Sequence, residues 1–340
     1  MKLNKFLEAC SRGDLKAVKT GVKANRGVVN MRNEKGYTAL YVACRWGQLE
    51  TVKYLISAGS DKELRDEQGI TPVFLASGMG HLEIVRILLS QGADKDKVDN
   101  RGATPLFIAS QEGYLEIVRI LLSEGDDKDK ACHNETTPLF IASQQGHLEI
   151  VRLLLSVGAD KDKANHNETT PLYVASQKGH LEIVQLLLSV GADKDKADTD
   201  VSTPLHAACF NSDTKTAKLL LLAGSSKEII NKFGRKALDL CPTEEMRAEL
   251  EEAVASMSAG CAARRRRGRS CACCEVQEPE GVGTVGGPPK FQLCSACKGL
   301  AYCSATCQKL DWKARHKREC KVMQEQREKA HTDHGAKGEL

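Results

Sequence analysis

Residues 104–125 read TPLFIASQEGYLEIVRILLSEG. Residues 137–158 read TPLFIASQQGHLEIVRLLLSVG, and residues 170–191 read TPLYVASQKGHLEIVQLLLSVG. Threonines at 38, 71, 104, 137, 170 and 203 are all 33 positions apart. A fixed period of this length is the signature of a repeat architecture. Each unit reads as two short helices and a turn. Thr-Pro opens the first helix, with Thr as cap and Pro in the first turn. The second helix carries a broad apolar stripe, for example Leu148, Ile150, Val151, Leu154 and Leu155. Gly92, Gly125, Gly158 and Gly191 follow it, where a helix ends in positive φ. A polar, extended ADKDKA-type segment then leads to the next turn.

One unit cannot bury its own stripe, whereas stacked units share a one-dimensional core. The end units differ from the rest, as solubilising caps should. FLEACSRGDLKAVKTG lacks Thr-Pro, and GRKALDLCPTEEMRAELEEAVASM has a charged second helix.

Period 33 with TPL, GHLEIV and GAD resembles ankyrin repeats over residues 1–257, as six full units and two caps. The resemblance implies a mainly α fold: an ankyrin-repeat solenoid of helix-turn-helix plus hairpin. The chain departs from the pattern in two columns. Phe74, Phe107, Phe140 and Tyr173 stand where His is usual, and only His206 keeps it. Glu135, Glu168 and Val201 replace the usual hairpin Gly, which leaves the hairpin conformation open there. The resemblance also implies that partners meet the hairpin tips and the ends of the first helices. Those positions are Asn100, Arg101, Gln111 and Glu112; His133, Asn134, Gln144 and Gln145; and His166, Asn167, Gln177 and Lys178. In the first full unit they include Arg45 and Trp46. The alternative for Trp46 is packing on the neighbouring cap. The stacked Lys62, Lys95, Lys128, Lys161, Lys194 and Lys227, with the acidic residues that follow them, read as a solvated edge.

The composition divides the chain. From Ser258 onward 16 Lys and Arg face 9 Asp and Glu, within a net charge of +4 for all 340 residues. Eight of the 14 cysteines lie at or after Cys271. Apolar runs such as Leu219–Ala223 are too short to cross a membrane, and MKLNKFLEACSRGDLKAV has no signal-like apolar segment. The expectation is an intracellular protein, cytoplasmic and/or nuclear, with reduced thiols and metal rather than disulfides.

Residues 258–270 read as a basic flexible linker. Beyond it Cys271-x2-Cys274, Cys294-x2-Cys297, Cys303-x3-Cys307 and His316-x3-Cys320 supply eight ligands. Sulfur-rich tetrahedral sets suit Zn²⁺, and two full sets make structural zinc, two ions per chain. Cys273 stands as an alternative to Cys274. This pattern, with YCSATCQKLDW at 302–312, resembles a MYND-type zinc finger over residues 271–320. The resemblance implies interleaved sets: Cys271, Cys274, Cys303 and Cys307 on one ion, Cys294, Cys297, His316 and Cys320 on the other. It further implies a groove for a proline-containing peptide at Ser295, Gln308 and Trp312. Residues 321–340 read as a helical, fraying tail.

The functional expectation is a non-enzymatic adaptor that binds one protein through the repeats and another through the finger, without a membrane. The alternatives are a nucleic-acid-associated regulator using Arg264–Arg267 and the basic Lys313–Arg318 stretch, and a methyltransferase-associated subunit. A methyltransferase needs a separate catalytic domain, for which the repeats leave no room.

Overall fold

The computed structural model describes residues 2–266, with side chains through residue 256. Its α-helices are α1 (Leu3–Arg12), α2 (Leu15–Ala24), α3 (Ala39–Arg45), α4 (Leu49–Ser57), α5 (Pro72–Gly78), α6 (Leu82–Ser90), α7 (Pro105–Glu112) and α8 (Leu115–Ser123). There follow α9 (Pro138–Gln145), α10 (Leu148–Ser156), α11 (Pro171–Lys178), α12 (Leu181–Ser189), α13 (Pro204–Phe210), α14 (Thr214–Leu222) and α15 (Glu244–Arg266). Short 3-10 turns span Arg26–Asn30 and Ala237–Leu240. Among the described residues there is no strand, only an isolated bridge between Ile230 and Lys236.

The helices start where the sequence says they should. Thr38, Thr71, Thr104, Thr137 and Thr170 each accept, through Oγ1, the backbone N–H three residues on, at 3.1–3.2 Å. Proline opens α5, α7, α9, α11 and α13, where no N–H is needed. The second helices end at Gly92, Gly125, Gly158 and Gly191 with φ between 76° and 83°. Buried leucines Leu55, Leu88, Leu121 and Leu154 recur 33 residues apart and are wholly inaccessible. Each repeat thus contributes the same layer of one core.

The described residues form two compact units. The first comprises residues up to Val184 with Lys196–Val201, and the second Gln185–Asp195 with the chain from Ser202. In the first unit α1 packs on α3, α3 on α5, α5 on α7, α7 on α9 and α9 on α11. Its N-terminal cap buries Phe6, Leu7 and Cys10. In the second unit α14 packs on α13 and α15, and α15 buries Met246, Leu250 and Ala253. The charged cap helix therefore keeps an apolar stripe on one side only.

The boundary expected at 257 falls inside α15, which continues to Arg266. Residues 258–266 are helical rather than flexible linker. Ala259, Ala262, Ala263 and Arg264–Arg266, all strong helix formers, outweigh Gly260 there.

In the edge column Lys95, Lys128 and Lys161 pair with the acidic residues that follow them, whereas the second lysine of each segment, two positions on, bonds across repeats. Lys130 Nζ donates to Asp96 O at 2.8 Å, Lys163 Nζ to Asp129 O at 2.8 Å and Lys196 Nζ to Asp162 O at 2.7 Å. Lys97 Nζ reaches Glu63 Oε2 at 3.1 Å. Asp129 Oδ1 accepts the backbone N–H of Asp160 at 2.9 Å. These bonds stitch each repeat to the preceding one.

Candidate functional site

The first unit contains a polar groove of about 920 Å³. Its walls come from two columns of the repeat. One is the hairpin before each first helix, and the other is the exposed end of α7, α9 and α11. Asn100, Arg101, Gln111, His133, Asn134, Gln144, Asn167 and Gln177 all line it. Eight of the positions implied by the resemblance therefore meet in one place. Glu112, Gln145, His166 and Lys178 are exposed outside its lining. Arg45 and Trp46 are likewise exposed and outside it. Trp46 is 61% exposed, so the alternative of packing on the cap does not hold.

The groove floor is the column where His is usual. Phe107, Phe140 and Tyr173 present only 4–9% of their surface there, above fully buried Leu106, Leu139 and Leu172. Phe74, Ala103, Phe107 and Ile141 form one apolar cluster, flanked by Ile108 and Cys132. The tyrosines of this column are tied to the next hairpin. Tyr41 OH donates to Asp66 Oδ2 at 2.9 Å. Burial and a hydrogen bond with Asp198 push the Tyr173 hydroxyl well above its ordinary pKa, so it stays protonated. The one retained histidine, His206, accepts at Nδ1 from Thr203 N–H at 3.2 Å, and its Nε2 lies 3.3 Å from Arg235 O.

The hairpins hold their shape without glycine. Glu135, Glu168 and Val201 adopt φ of 61°, 58° and 59°, the region that Gly36, Gly69 and Gly102 occupy at 79–80°. The departure in sequence therefore leaves the turn intact and places side chains in a conformation that costs energy. Within the hairpins, Asn165 Oδ1 accepts from Asn167 N, Thr169 N and Thr169 Oγ1. Asn134 Oδ1 accepts from Thr136 N. With the amide oxygens engaged, both side chains have N–H donors remaining at the groove wall.

The charge in the groove is uneven. Arg101 lies at one end, held by Asp99 at 2.9 Å. Asp198 and Asp200 lie at the other, and between them the lining is uncharged amide, hydroxyl and imidazole. The thiols of Cys10, Cys44 and Cys209 are buried, and burial raises their pKa, that of Cys10 to about 12. Such thiols are poor nucleophiles.

Two features escaped the sequence reading. Phe210 and Phe233, in the second unit, are 69% and 65% exposed. They stand 33 positions after Gln177 and Asp200, so the period itself marks them as members of the two recognition columns. Asp126 replaces the alanine that Ala93, Ala159 and Ala192 bury. Its side chain is 2% exposed, neither oxygen receives a hydrogen bond, and Lys95 Nζ lies 3.4 Å from one of them. Burial pushes this carboxyl up to about 7.

Among the described residues no cluster of three or more His, Cys, Asp or Glu is placed to hold a metal. Cys271, Cys274, Cys294, Cys297, Cys303, Cys307, His316 and Cys320 lie outside the described residues, as do Cys273, Ser295, Gln308 and Trp312. As a donor set, seven thiolates and one imidazole fit zinc, which prefers sulfur and nitrogen in fours.

Comparison with known proteins bears on both parts. The family model described as Ankyrin repeats (3 copies) matches residues 6–66, 58–132 and 124–198, and that of a single Ankyrin repeat matches 202–232. The MYND finger model matches 271–320. Among solved structures, the human ASB11 ankyrin repeat domain is similar, at 30% identity and a TM-score of 0.60, over 64% of this chain and 98% of that one. No curated protein matches the chain. In the described residues, no helix is long and apolar enough to cross a membrane.

Proposed function

The chain belongs to the ankyrin-repeat family and carries a MYND finger, and on that premise we propose that it is a non-enzymatic adaptor joining two proteins. Both modules are protein-interaction domains, and the finger is a zinc-binding one. The observation that carries the reading is the groove of about 920 Å³, walled by side chains that recur every 33 residues. It offers a long surface of recurring polar walls over an apolar floor, which suits protein recognition.

The finger supplies the second surface. Cys271, Cys274, Cys303 and Cys307 hold one zinc ion, and Cys294, Cys297, His316 and Cys320 hold another. Bound zinc acts there as a structural cross-link with no open coordination position. Ser295, Gln308 and Trp312 then form a groove for a proline-containing peptide. We infer a cytoplasmic or nuclear setting, or both, from a cysteine-rich composition that suits reduced thiols and zinc.

Elemental analysis of purified full-length protein tests the metal assignment. Two zinc ions per chain are expected, and one or none contradicts it. Trp312→Ala should keep both ions and lose a proline-containing peptide ligand by about thirtyfold. Loss of zinc together with binding makes Trp312 part of the finger's core.

A further inference from the structure

α7, α9 and α11 lie side by side in the first unit, each packed on the next. Each carries a glutamine of the same register next to its last residue, Gln111, Gln144 and Gln177, and all three line the groove, Gln111 with one amide N–H donated to Glu112 at 2.9 Å. Opposite them, Asn134 and Asn167 repeat in the hairpins. Packed helices stand about 8–10 Å apart. The groove is therefore an amide ladder with rungs roughly that far apart.

An occupant that uses every rung must repeat at the same interval. A polyproline-II segment rises about 3.1 Å per residue with three residues per turn, so its surface repeats about every 9 Å. A β-strand advances a similar length in three residues, but its side chains alternate with period two, so successive rungs meet opposite faces. A helix repeats its face at about 5.4 Å or, over two turns, about 10.8 Å, which falls short of the rung interval or beyond it. Only the first keeps one face in step with the ladder. Its backbone carbonyls make no internal hydrogen bonds. Amide N–H groups are what they need, and Asn134 and Asn165 have their oxygens engaged in the hairpins.

Charge sets the ends. Asp198 and Asp200 line the groove beyond Gln177, and Glu168 is exposed at the adjoining hairpin tip. Arg101, at the opposite end, already pairs with Asp99. A basic residue of the occupant is favoured at the acidic end.

We propose that the amide ladder at Gln111, Gln144 and Gln177 binds a partner protein's polyproline-II segment, one turn per repeat, with a Lys or Arg at the Asp198–Asp200 end. The proposal rests on the adaptor reading and names the class of ligand that the repeats take.

The test uses full-length protein and a fluorescein-labelled synthetic 12-residue peptide with proline at every third position and two lysines at one end. Fluorescence anisotropy gives the affinity. Replacing all three glutamines by alanine should weaken binding at least tenfold, with an unchanged urea midpoint. A peptide with glutamates for the lysines should also bind more weakly. If the triple variant fails to fold, Gln144→Lys alone should repel the same peptide. A helical alanine-rich peptide carrying the two lysines should not bind. Equal binding of that peptide overturns the conformational match. Binding lost in Trp312→Ala and kept in the triple variant overturns the ladder assignment while leaving the adaptor reading in place. No binding by the full-length protein overturns the proposal outright.

Discussion

Two polar columns run through the same repeats, and they do opposite jobs. Lys97, Lys130, Lys163 and Lys196 recur every 33 residues, and each reaches back to the preceding repeat. Gln111, Gln144 and Gln177 recur with the same period and line an open groove. The lysines are strongly polar and chemically the more obvious partner surface, yet their charge is spent inside the molecule. The glutamines are bland in sequence and face outward. Equal repetition therefore does not separate scaffold from recognition surface. What each side chain reaches does: the lysines bond the preceding repeat, whereas Gln111 Nε2 donates to Glu112 beside it on the groove wall.

Asp126 breaks the scaffold side of this comparison most strongly. It occupies a buried alanine site and faces a single lysine at 3.4 Å. Its pKa rises to about 7 in the folded chain against an ordinary 3.8. Between those values the folded state holds the proton more tightly than the unfolded state. Stability therefore falls as pH rises from about 4 to about 7, and the penalty is full above that. Asp126→Ala should raise the stability at pH 8 by about 1–3 kcal/mol and flatten this pH dependence. Urea unfolding at pH 5 and pH 8 measures both. A variant less stable than the parent at pH 8 shows that the Lys95 pair outweighs burial.

The hairpins sharpen the recognition side with a smaller effect. Glu135 holds φ at 61° where earlier repeats have glycine. Glu135→Gly should stabilise the chain by about 0.5–1 kcal/mol, because relief of the left-handed strain exceeds the added freedom of the unfolded chain. An unchanged or lower urea midpoint means that the Glu135 side chain makes a compensating contribution.

Much of this was legible in the residues. Thr-Pro, the apolar stripe and the closing glycine each have one local meaning, so repeats and caps followed directly. Eight of the 14 expected partner positions line the groove because period fixes column, and column fixes face. Trp46 was ambiguous because an aromatic at a helix end suits both exposure and packing. The lysine clamps were not legible: their acceptors are mainly backbone carbonyls, which leave no mark in a sequence. Asp126 was visible as GDD among GAD motifs, but its burial depends on the packing of its neighbours. Phe210 and Phe233 fell outside the expected set because their repeat departs from the near-identical ones before it, although the period alone locates them. Residues 258–266 read as linker because Ser, Gly and an arginine run suggest one, whereas Ala and Arg favour the helix that α15 continues there. The zinc ligands lie outside the described residues, and their assignment stays with the spacing and the MYND finger match at 271–320.

The measurement that tests the division between columns most directly is a paired one on Gln144→Ala and Lys130→Met, with urea midpoint and peptide affinity read on the same samples. Lys130→Met removes the bond to Asp96 O and should cost about 1 kcal/mol of stability while binding is kept. Gln144→Ala should change stability by less than about 0.5 kcal/mol and weaken binding of the proline-repeat peptide. If Gln144→Ala destabilises the chain as much as Lys130→Met and leaves binding untouched, the groove amides are scaffold, and the account is contradicted.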